Sequence, residues 1–68
     1  MLNRNMLRGK IVEKGMTEKQ VAKEIGMSSK TFSLKMKSGK FGLDEADKII
    51  ALLEIEKPEL IFFSQTVA

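Results

Sequence analysis

Apolar residues recur along the chain at three- and four-residue spacings and nowhere alternate over the length of a strand. The spacing predicts a first helix over roughly residues 4–14, with Met6, Leu7, Ile11 and Val12 as a narrow apolar face and Gly15 as its stop. Thr17-Glu18-Lys19-Gln20 is a capping-box sequence and predicts a second helix, with Val21, Ala22 and Ile25 turned inward and Gly26 ending it. Ser28 suits the N-cap of a third helix running to about Ser38, and Gly39 suits its stop. A fourth helix begins near Leu43, with Asp44, Glu45 and Asp47 at its positive end. Leu43, Ala46, Ile49, Ile50 and Leu53 are its expected buried stripe. Pro58 fits the first turn of a short last helix carrying Leu60, Ile61, Phe62 and Phe63, and residues 64–68 read as a frayed tail. The expectation is one all-α, compact four- to five-helix domain over residues 1–68.

Composition narrows what such a domain can do. Sixty-eight residues bury little core. The chain has no cysteine and no histidine, so disulfides and the usual zinc ligand sets are excluded. No cofactor or metal is expected, and catalysis is disfavoured. The lack of cysteine fits a reducing cytoplasm. No apolar run approaches the roughly 20 residues of a membrane span, and the first helix is too narrowly apolar, and too poor in aromatics, for a membrane surface.

Charge changes the picture more. The net +3 conceals a split. Residues 1–40 hold ten Lys/Arg against three acids, and residues 41–68 hold two against six. Between Glu24 and Asp44 there is no acid at all. Clustering on a solvated surface is the bland explanation; a basic working face is the other.

The second and third helices are joined by a short corner. Ala22 is small enough to let them approach, Gly26 turns the chain, Ser28 restarts it, and Phe32 and Met36 fall between the two helices. This is the composition of a helix-turn-helix over about residues 17–38. Two short helices packed at an angle in a bundle would share these features without the basic charge.

The stretch TEKQVAKEIGMSSKTFSLKMKSG (residues 17–39) resembles the helix-turn-helix of the phage Cro and repressor family. FGLDEADKIIALLEI (41–55) is similar to the family's next helix, and PELIFF (58–63) to the closing turn of small relatives. The resemblance covers roughly residues 4–63. Three positions depart from it: Glu18 where the best-known repressors have Gln, Lys35 where a large apolar residue is common, and Gly42 where a Ser or Thr cap is usual.

The resemblance implies a lambda-repressor-like fold and double-stranded DNA as partner, in the cytoplasm of a bacterial host. It implies that the helix at about 28–38 enters the major groove, where its N-terminal residues meet base edges. Ser29, Lys30, Ser33 and Leu34 are the expected base contacts, with Lys30 suited to guanine and Leu34 to a thymine methyl. Thr17, Lys19, Thr31, Lys35, Lys37 and Lys40 are the expected phosphate contacts. A single-domain, Cro-like repressor is expected over a full-length one. A homodimer through Leu52 and Leu60, Ile61, Phe62 and Phe63 is compatible with this reading. The alternative is a protein-interaction module on the same fold, such as an anti-repressor or an antitoxin component.

Overall fold

The computed structural model describes residues 2–62. Among them are five helices and no strand: α1 (Arg4–Glu13), α2 (Glu18–Glu24), α3 (Ser29–Ser38), α4 (Leu43–Leu53) and α5 (Pro58–Phe62). None is long and apolar enough to cross a membrane. The expected frayed tail, and Phe63, lie outside the described residues.

Local chemistry sets most of the boundaries. Asn3 caps α1, its Oδ1 accepting from the Met6 amide at 3.1 Å. Thr17 and Gln20 form the reciprocal capping box of α2, at 3.1 and 2.9 Å. Ser28 caps α3 by accepting from the Thr31 amide. The stop after α2 needs a residue that tolerates positive φ, and Gly26 supplies it at 78°. The Met27 amide then donates back to the Ala22 carbonyl at 2.9 Å, closing a Schellman turn. The end of α4 uses the same turn without glycine. Glu54 sits at φ 52°, and the Ile55 amide donates to the Ile50 carbonyl at 3.1 Å.

Helices this short are marginal in isolation and depend on their shared core. Leu7, Val21, Ala22, Phe32, Ile49 and Leu53 are wholly buried, and no described polar side chain joins them. α2 packs most extensively on α3, and also meets α1 and α4, while α5 closes against α1. Phe41, in the loop after α3, has its ring 5.5 Å from Phe32 and meets Phe62 edge-on at 6.3 Å. The ring contacts tie α3 to α5, each pair adding on the order of 1 kcal/mol beyond area burial. Leu2, ahead of α1, is also buried, and the Asn3 amide donates to the Ile61 carbonyl at 2.6 Å.

Several residues expected to face inward do not. Val12 is 73% exposed and Met6 40%. Leu7 and Ile11 alone form the buried line of α1, and Met6 and Val12 each stand one residue-step, about 100°, to either side of it. Leu43 lies on the right side of α4 but is 76% exposed, because it is the helix's first residue and projects past the end of the core. Leu60 is exposed, whereas Ile61 and Phe62 are buried in the core. Among the described residues expected to offer a dimer surface, Leu60 alone is exposed, and Leu52 is half-buried.

Two glycines give opposite expectations for the same substitution. Gly9 lies mid-helix in α1 with open space where a Cβ would stand, so Gly9→Ala should stabilise the fold by about 0.5–1 kcal/mol. Gly26 also has room for a Cβ, but its positive φ should make Gly26→Ala cost about 1–2 kcal/mol. Urea unfolding followed by circular dichroism reads both, and two shifts of the same sign would contradict this account.

Candidate nucleic-acid interface

α3 is seated by Phe32 and Met36, which are buried one turn apart on its inner side. On the outer side Lys30, Ser33, Leu34 and Lys37 recur at helical spacing and form one exposed stripe. Ser29 shares the azimuth of Met36 but is exposed, because it is the first residue of the helix and stands ahead of the core. Leu34 is 57% exposed, an apolar residue in the middle of a polar surface.

Thr31 has two local roles. Its amide donates to Ser28 Oγ at 3.1 Å, and its own Oγ1 accepts the Ser28 hydroxyl at 2.9 Å. That leaves the Thr31 hydroxyl proton for an acceptor outside the protein. Thr17 and Lys19 lie on and beside the exposed start of α2. There the capping box already uses the amides of Thr17 and Gln20, and Glu18 pairs with Arg8 at 3.2 Å. Lys40 follows the C-cap of α3 with its side chain exposed.

The ion pairs sort the cations. Arg8, Lys10 and Lys14 pair with Glu18, Glu13 and Glu54. Lys35 pairs with Glu45 at 3.0 Å. Among the described residues Lys19, Lys30, Lys37 and Lys40 form no ion pair. Arg4 and Lys23 are likewise unpaired, so four of the ten cations in residues 1–40 are held in ion pairs and none of those four is on the outward stripe of α3.

Lys35 stands apart from the other expected phosphate contacts. Its ammonium is committed to Glu45 Oε1, and the same oxygen accepts from the Gly42 amide at 2.8 Å. Glu45 therefore does from inside α4 what the missing side chain of the N-cap Gly42 cannot, and it fastens α3 to that cap. The Gly42 amide, and then the Lys35 ammonium, hold the Glu45 carboxyl below the usual glutamate range, against a smaller opposing effect of burial. Gly42 and Glu45 are spaced as half of a capping box, the signal in the sequence that marks this arrangement. Leu2 and Arg4 carried no such signal. They sit beside Met36, Lys37, Ser38 and Gly39 at the far end of α3.

Compared with protein families, with curated proteins and with solved structures, the chain gives no match.

The depressed Glu45 carboxyl has a pH signature. A lowered folded-state pKa contributes stability above the ordinary glutamate pKa and loses it as the pH falls through the folded value. Glu45→Gln should therefore destabilise the fold at pH 7, by a few tenths to about 1 kcal/mol for a half-exposed pair. The gap to the parent protein should narrow once the pH drops below about 4. Urea unfolding across that range checks it; a gap unchanged by pH would show the ionised carboxylate to be unimportant.

Proposed function

We propose that this chain is a sequence-specific DNA-binding regulator, a helix-turn-helix protein resembling the phage Cro-type repressors, and that α3 is its reading helix. One observation carries the proposal: the exposed stripe of α3 carries Lys30 and Lys37, neither of them ion-paired among the described residues, with unpaired Lys40 just beyond and no acid between Glu24 and Asp44. A run of cations that no acid offsets is what contact with a polyanion requires.

In this reading Ser29, Lys30, Ser33 and Leu34 approach base edges. Lys30 donates to guanine O6 and N7, and the serine hydroxyls accept or donate with little discrimination. Leu34 covers a thymine methyl, which gives an exposed leucine a purpose at that position. Thr17, Lys19, Thr31, Lys37 and Lys40 hold phosphates, and each contact contributes about 0.9 to the dependence of log affinity on log salt. Lys35 is better understood as a strut between α3 and α4 than as a phosphate contact.

The protein-interaction reading has its own support. Met6 and Leu60, both exposed, line a groove of about 180 Å³ between α1 and the segment ending in α5, with Ile55 and Ile61 at its base. A surface of that kind suits an apolar partner. Duplex binding measured at low and high salt separates the two, because only the DNA reading requires salt-sensitive association.

The base and phosphate roles have separate signatures. Lys30→Ala should relax preference at one base position, by about 1–3 kcal/mol of discrimination. Lys40→Ala should weaken binding to every sequence alike and flatten the salt slope by about 0.9. A panel of duplexes spanning single-base changes reads both, and indistinguishable profiles for the two variants would sink the assignment.

A further inference from the structure

The end of α3 away from the base-reading residues meets the start of α1. A pocket of about 220 Å³ lies between them, lined by Leu2, Arg4, Met36, Lys37, Ser38 and Gly39. Two cations from different helices share its rim, and no acid does. Neither Arg4 nor Lys37 forms an ion pair among the described residues. The first turn of α1 holds no acid, and neither does that of α3.

The pocket is built rather than incidental. Leu2 and Met36 are buried beneath it. Leu2 Cβ stands 3.5 Å from where a Cβ on Gly39 would be, so the chain ahead of α1 rests against the left-handed cap of α3. The Asn3 amide is tied to the Ile61 carbonyl, and the Asn3 side chain caps α1. Arg4 is the next residue, so its backbone is held in place before any ligand arrives. Ser38 is occupied locally, donating to the Lys35 carbonyl and accepting from the Lys40 amide.

A cation near a helix C-terminus offsets the dipole there, which amounts to about half an elementary charge. Lys37 alone exceeds that, and Arg4 adds a full charge again. The surplus is positive, in a concave site, beside the surface proposed above to meet DNA. The guanidinium is a planar fork that matches phosphate oxygens in pairs.

We infer that Arg4 and Lys37 together form a phosphate site, and that Arg4 binds a backbone phosphate of the DNA beyond the base pairs read by α3. This rests on the DNA-binding reading above and adds α1 to the interface, which the helix-turn-helix alone does not include. Arg4 fixes where along the duplex α3 sits and carries no sequence preference itself.

The test is the salt slope of duplex binding for the full chain, Arg4→Ala, Arg4→Gln, Lys37→Ala and Lys57→Ala, with thermal unfolding to confirm that each is folded. Arg4→Ala, Arg4→Gln and Lys37→Ala should each lower the slope by about 0.9, with base preference intact and Lys57→Ala unchanged. If Lys40→Ala lowers the slope and both Arg4 variants do not, the phosphate site is wrong while the DNA reading stands. If the parent protein shows no salt-sensitive binding, both fail. Titration with inorganic phosphate at constant ionic strength, followed by amide NMR, distinguishes a small-anion site. Saturating shifts confined to residues 2–4 and 36–39, with an unaltered DNA slope in the Arg4 variants, would overturn the DNA assignment of this pocket.

Discussion

The burial of Phe32 is the contact on which the rest depends. Among the described residues no helix is longer than eleven residues, so none has an independent existence. Phe32 is fully buried, touches Phe41, and lies where α3 meets α2. Its removal from water contributes on the order of 2–3 kcal/mol, a large share of what so small a domain can muster. It also fixes rotation. With Phe32 inward, Lys30, Ser33, Leu34 and Lys37 have only one direction in which to point. The same contact that holds the fold together therefore selects the face presented to a partner.

Charge is distributed by the fold in a way the linear split conceals. The basic first forty residues and the acidic remainder do not become two poles. Glu45 and Glu54 reach back across the chain to Lys35 and Lys14. Arg8 and Lys10 are paired within the first two helices. Of the cations unpaired among the described residues, Lys30 and Lys37 lie on α3 and Lys40 just beyond it, while Lys19, Lys23, Lys48 and Lys57 stand on other parts of the fold. Exposed ion pairs of this kind add little to stability. Their larger effect is subtractive, since they cancel four positive charges and none of those on the outward stripe of α3.

The helices were legible because their signals are local. Thr17 with Gln20, Ser28, Gly26 and Gly39 each act through a hydrogen bond or a backbone angle within a few residues, and all occupy the roles their identities suggest. Glu54 had no such signal: a left-handed glutamate is set by the surrounding turn and by Ile55, which is buried, and nothing in its own chemistry announces it. Val12 and Leu43 satisfied the helical period yet face solvent, because periodicity gives the side of a helix and not how far the core extends along or around it. The surface of α3 could be read in advance, since Phe32 and Met36 orient it. That Lys35 would be claimed by Glu45, and that Arg4 would lie near Lys37, depends on contacts distant in sequence, which spacing cannot supply.

The two residues that seat α3 are unequal in stiffness. Phe32 has a rigid ring with two torsions, held against the ring of Phe41. Met36 is unbranched, with more rotatable bonds and a polarisable sulfur that tolerates small displacements. α3 is thus clamped under Ser29 to Ser33 and cushioned under Lys37 to Gly39. Hydrogen bonds to base edges tolerate little positional error, whereas charge attraction to a phosphate falls off slowly with distance. The firm end lies beneath the residues whose proposed task is geometric, and the compliant end beneath those whose task is electrostatic. A helix mounted in this way can follow small variations in backbone position without moving the side chains proposed to discriminate between bases.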